Sequence, residues 1–175
     1  MRRTKTLLTA LICLVALITS ALCSCQPEPE NEEVENGSVW QFSSIGSVEP
    51  VEGKSQSAAE SRAATVKSYY TVIYGANGGQ TKSDVIGFKD GKVLKLHFGG
   101  TGNPSYYNGI PVYSSYEPYE YEFGSYSGSE ISIVDYNEEI TEAYIRDGVL
   151  TLIHEDYTAR IELLFTKTSD IGLFE

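Results

Sequence analysis

The chain has two histidines, His97 and His154, and their neighbours decide which acid-base or metal chemistry is open to it. His97 alternates with Val93 and Lys95 on one face of an expected strand, opposite Leu94, Leu96 and Phe98. It therefore reads as a solvated residue of a mixed face. His154 is followed by Glu155 and Asp156. Adjacent strand residues point to opposite faces, so His154 and Glu155 do not readily converge, and no third ligand stands at a telling spacing. No metal is expected. Glu117, Glu120 and Glu122 form a second acidic group, and paired carboxylates can hydrolyse glycosides. Glu120 and Glu122 alternate with Tyr119, Tyr121 and Phe123, as the wet face of a half-buried strand does. A carbohydrate-active enzyme is the weakest reading. The run Gly99-Gly100-Thr101-Gly102-Asn103-Pro104 lacks the Gly-Lys-Ser/Thr ending of a phosphate loop. There is also no Gly-x-Ser-x-Gly elbow and no histidine set beside a serine and an acid, so the expectation is a non-enzymatic protein without a cofactor.

Binding chemistry is better represented. The segment from Gly99 to Ser115 reads as a long loop carrying Tyr106, Tyr107, Asn108 and Tyr113. Tyrosines on such a loop can stack on sugar rings or peptides and still hydrogen-bond. A second group lies on apolar strand faces: Trp40, Phe42, Tyr70, Val72, Ile86, Phe88, Tyr119, Tyr121 and Phe123. In a small barrel such residues either enclose a ligand or fill the space, and filling is the stronger expectation. The candidate ligand contacts are Trp40, Phe42, Tyr70, Phe88, Tyr106, Tyr107, Tyr113, Tyr119 and Tyr121. The partner would be a small apolar molecule, a glycan or another protein, and the alternative is a structural or protein-interaction module of a surface complex with a filled barrel.

The elements that must position these residues are strands. From Tyr69 onward, apolar and polar residues alternate in short runs separated by turn signals. In the clearest run, Tyr157, Ala159, Ile161, Leu163 and Phe165 share one face, and Thr158, Arg160 and Glu162 share the other. Asp90-Gly91 and Asp147-Gly148 each sit between two such runs and predict hairpins, because Asp-Gly tolerates the positive φ of the favoured turn. The pattern predicts strands near 38–45, 69–75, 84–89, 92–98, 116–123, 130–135, 139–146, 148–154 and 157–167. Antiparallel strands in chain order favour an all-β, up-and-down meander of eight or nine strands closing into a barrel, with a two-sheet sandwich as the alternative. Residues 57–67 read as a short, weakly amphipathic helix or an unstructured loop.

The N-terminus supplies an address. Arg2, Arg3 and Lys5 precede an apolar run from Leu7 to Ile18, followed by Thr19-Ser20-Ala21-Leu22-Cys23-Ser24-Cys25. This is the layout of a secretory signal, and the apolar run is short for a membrane span. Leu22 three residues before Cys25, with Ser24 immediately before it, resembles the bacterial lipobox. The resemblance implies residues 1–24 as signal peptide and Cys25 as the lipidated mature N-terminus, with Cys13 and Cys23 removed. The membrane would be reached through acyl chains. Residues 26–35, QPEPENEEVE, read as an acidic, extended tether, assigned to 25–37 with the cysteine. The acidic run looks like the signal that sends lipoproteins of one Gram-negative phylum to the cell surface; it reads equally as a plain spacer. The expected location is the outer membrane.

Removing Arg2, Arg3 and Lys5 with the signal leaves 10 basic against 24 acidic side chains, a formal charge of −14. Nucleic acid is therefore excluded as a partner. Trp40 in Ser38-Val39-Trp40-Gln41-Phe42, the Phe-x-x-Asp-Gly-x-Val hairpin at 88–93 and Tyr119-x-Tyr121-x-Phe123 leading to Ile131-Ser132-Ile133 are followed by a late Asp-Gly hairpin and a closing strand. This order resembles the small lipocalin-like lipoproteins of bacteria. The resemblance implies a barrel over residues 38–168, with 169–175 as a tail. The chain departs from that pattern in having Ser38 where the family's Gly would stand and a long polar insertion between Phe42 and Tyr69.

Overall fold

The computed structural model describes residues 29–107, 110–134, 139–169 and 174. Cys25, the signal region, Asn108 and most of the 169–175 tail lie outside the described residues. The chain from Asn31 onward forms one compact unit.

Eight strands make an antiparallel sheet nearly closed into a barrel. They are β1 (Val39–Pro50), β4 (Val85–Lys89), β5 (Lys92–Thr101), β8 (Ser115–Ser127), β9 (Glu130–Ile133), β10 (Ile140–Arg146), β11 (Val149–Glu155) and β12 (Ala159–Thr168); each pairs with the next except β9 with β10, and β12 returns to β1. β9 and β10 run side by side across the remaining seam. The barrel is the expected one, and the sandwich is not formed. Both predicted hairpins are present: Asp90 and Gly91 have φ of 51° and 79°, and Asp147 and Gly148 have 51° and 68°. Two positive values in succession give the turn the twist of the strands it joins.

The meander carries two insertions that the alternation did not reveal. After β1 come the helix α1 (Gln56–Tyr70), β2 (Thr71–Tyr74) and β3 (Gln80–Ser83); between β5 and β8 come β6 (Ser105–Tyr107) and β7 (Ile110–Tyr113). The four short strands pair as a second sheet in the order β3-β2-β7-β6, with β2 and β7 parallel. The expected loop from Gly99 to Ser115 is thus the top of β5 followed by half of this sheet. α1 is longer than the 57–67 expectation and takes Tyr69 and Tyr70 from the predicted strand. Ser55 accepts the amide of Ala58 at 3.2 Å and caps its start. Its buried stripe, Ala59, Ala63, Val66 and Tyr70, keeps the 4-3-4 spacing of one helical face. The stripe reads weakly in sequence because half of it is alanine.

Apolar side chains fill the barrel centre. Leu150, Leu152, Ile161, Leu163 and Phe165 are fully buried, and Phe42 and Phe88 pack with them beneath α1. Of the five residues expected on one face of β12, Tyr157 departs: it lies before the strand and is 79% exposed. Two segments assigned elsewhere join the domain. Residues 32–37 lie along the hairpin end of the barrel, where the amides of Glu32, Val34 and Gly37 donate to the carbonyls of Ile145, Gly128 and Phe88 at 2.8, 2.9 and 2.6 Å. Phe174 of the tail packs against Gly87, where an added Cβ would fall 2.6 Å from its ring.

β5 corrects the reading of His97. The apolar residues Leu96 and Phe98 face outward, where the second sheet and Phe174 cover them together with Val39, Val72 and Val85. The mixed face of Val93, Lys95 and His97 is the one turned toward the interior and α1, with Val93 and Lys95 buried. A strand covered on both faces cannot be oriented from alternation alone.

Candidate functional site

The polar chemistry of the domain gathers where α1 crosses the barrel. Asp84, in the turn between β3 and β4, is completely buried, and its amide donates to the carbonyl of Tyr70 at the end of α1 at 3.0 Å. Its carboxylate accepts from His97 Nδ1 at 2.8 and 3.0 Å and from the Phe98 amide at 3.2 Å, and stands 3.3 Å from Lys95 Nζ. The Lys95 ammonium also lies over the rings of Tyr70, Phe123 and Tyr69, at 4.2, 5.1 and 5.3 Å from their centroids. A buried charge survives only when it is paired and surrounded this way. Tyr69 stacks on the His97 ring with centroids 4.7 Å apart and planes 20° apart.

A second cluster holds the other side of α1. Arg62 Nε donates to Asp156 and Nη2 to Glu139 at 3.4 Å, while His154 stands between the same acids, Nε2 3.3 Å from Asp156 and Nδ1 3.8 Å from Glu139. Burial opposes ionisation of Asp156. Hydrogen bonds from Arg62 and from the amides of Thr158 and Ala159 outweigh it and hold the carboxyl at about 2, below its usual 3.8. The residues beside His154 in space are Asp156, in the turn just past the end of β11, and Glu139, just before β10. One donor atom from each of Glu139, His154 and Asp156 lies within 4.8 Å of the others, a set with metal-binding chemistry. Arg62 already supplies the cation there, so an ion would have to displace it.

Two hollows flank Tyr69. A cleft of about 190 Å³ under α1 is lined by Arg62, Tyr69, Tyr70, Lys95, Tyr121 and His154, among others. A groove of about 300 Å³ outside it runs from Thr65, Ser68 and Tyr69 past His97 to Gly99, Gly100, Pro111 and Tyr113. The candidate contacts distribute unevenly over these. Tyr70 and Tyr121 line the cleft, and Tyr113 lines the groove. Trp40, Phe42 and Phe88 belong to the packed core. Trp40 directs its indole N–H to Ser38 Oγ at 3.0 Å. Tyr106 and Tyr107 stand on the edge strand of the second sheet, 73% and 52% exposed. Tyr119 is on the surface, donating to Glu117 at 2.7 Å, which raises its phenol above the usual value. Glu122 is on the surface as well, paired with Lys92 at 2.8 Å. Glu117 and Glu122 are thus engaged locally.

Sequence reasoning missed Asp84, Lys95, Arg62 and Tyr69. Asp84 had no periodic signal, and Arg62 and Tyr69 depended on whether α1 formed. No family of known proteins matches this chain, and neither does any curated protein or solved structure.

Proposed function

We propose that the chain is an envelope lipoprotein with a non-enzymatic binding or accessory role, lipidated at Cys25, whose recognition surface is the junction of α1 with the barrel. The observation that carries this is the contrast between a barrel centre closed by Leu150, Leu152, Ile161, Leu163 and Phe165 and a junction rich in aromatic and polar side chains. An apolar carrier needs an interior cavity. A filled barrel serves instead as a rigid support for an external site. The up-and-down order of eight strands supports the lipocalin-like resemblance but adds no ligand.

Native mass spectrometry of protein purified from the envelope tests the binding half. Only the chain and its acyl groups are expected, whereas a co-purifying apolar molecule retained within the barrel would overturn the filled-barrel reading. Labelled palmitate should enter the wild-type chain and not Cys25→Ala; incorporation that survives the substitution would remove the anchor assignment.

A further inference from the structure

We infer that the groove between the end of α1, the top of β5 and β7 is a subsite for a neutral sugar ring. The inference rests on the reading of the α1 junction as the recognition surface and names its ligand class. Three observations carry it.

The groove lining includes no Asp, Glu, Lys or Arg, in a chain whose acids outnumber its bases 24 to 13. A charged ligand would find no ion-pair partner among these residues, and its desolvation would go uncompensated. Three of its polar side chains, Thr65, Ser68 and His97, are set up as acceptors. Ser68 Oγ donates to the carbonyl of Thr65 at 2.7 Å and Thr65 Oγ1 to that of Ser61 at 3.2 Å, which leaves their oxygen lone pairs for a ligand. His97 gives its Nδ1–H to the fully buried Asp84, whose charge Lys95 balances, and its Nε2 has no hydrogen-bond partner among the described residues. In that tautomer Nε2 is an acceptor held in one orientation by the carboxylate behind it.

Two rings bound the same space. Tyr69 is 54% exposed and fixed by its stack on His97. Tyr113 packs against β5 at Gly100, where an added Cβ would fall 2.1 Å from its ring. Acceptors that require donor hydroxyls, ring faces that suit the C–H face of a pyranose, and no formal charge together match a neutral sugar. At about 300 Å³ the groove stands at the lower bound of ligand pockets, which suits one or two rings.

The test uses the mature lipidated chain in a sugar-free zwitterionic detergent, titrated by saturation-transfer NMR. The probes are neutral disaccharides of glucose, galactose, mannose and N-acetylglucosamine, with a uronic-acid disaccharide and a polyamine as charged comparators. At least one neutral disaccharide should bind, with affinity falling about tenfold or more in Tyr69→Ala, as loss of a stacking ring implies. His97→Phe, which keeps a ring for Tyr69 but removes the acceptor, should weaken it similarly. Tyr157→Ala, an exposed ring before β12 and outside the groove lining, should leave it unchanged. Absence of binding by every neutral probe, preference for a charged comparator, or affinity indifferent to both Tyr69→Ala and His97→Phe would overturn the sugar assignment. None of those results bears on the barrel interior or on palmitate labelling, so this inference and the broader reading fail separately.

Discussion

At the scale of single residues, the junction is held by carboxylates that each serve several partners. Asp84 balances Lys95 and orients His97 from a site with no solvent access. Removing it leaves a buried ammonium without its carboxylate, the costly way to break a buried pair. Asp84→Ala should therefore lower the unfolding free energy by about 3 kcal/mol in urea denaturation. Adding Lys95→Met should recover part of that loss, since an apolar side chain needs no counter-charge. Asp156 makes a different prediction because its carboxyl is depressed to about 2 from 3.8. A lowered folded value means that the unfolded state binds the proton more tightly. The stabilisation is thus present above pH 3.8 and is lost as pH falls through about 2. The shift corresponds to about 2 kcal/mol. Arg62→Ala should flatten this part of the stability profile, as followed by thermal unfolding across that acid range.

At the scale of elements, α1 and the tail are attached by identifiable contacts. α1 depends on a short alanine-rich stripe, on its Ser55 cap and on the Arg62 pairs, so it has few ways to compensate for loss of any one. The tail docks Phe174 into the space left by Gly87, and Lys89 Nζ donates to the Phe174 carbonyl at 3.0 Å. Gly87→Ala places a methyl where the ring lies. The side chain of Phe174 should be displaced, and stability should drop by about 1 to 3 kcal/mol, as overpacking costs. Hydrogen exchange provides the check: the amides near Gly87 and Lys89 should lose protection while those of β11 keep theirs.

At the scale of the whole molecule, the barrel has two unlike ends. Residues 32–37 are bonded to the hairpin end, beside the turns at Asp90-Gly91 and Asp147-Gly148. α1 lies across the other end, near the turn that holds Asp156. The amides of Glu32, Val34 and Gly37 should therefore be protected in hydrogen exchange like those of the strands they bond to; exchange at the rate of a free chain would remove this attachment.

The local demands of this chain are legible in its amino-acid order. Positive φ at Asp90-Gly91 and Asp147-Gly148 is a property of two residues, and the period of β12 is a property of ten, so both hairpins and the barrel class follow from short windows of sequence. Other features depend on partners distant in the chain. The second sheet joins two insertions through a parallel pair, Ile73 beside Val112 and Tyr74 beside Tyr113, which no local pattern announces. Which face of β5 is inside was decided by what covers its other face. The same holds for the site. Asp84 meets His97 and Lys95, and Arg62 meets Asp156, because closing the barrel and laying α1 across it brings separate strands to one place. The sequence by itself determined turns, strand periods and the likeness to an export signal; tertiary structure decided which side chains face one another, because convergence is a property of chain closure rather than of spacing.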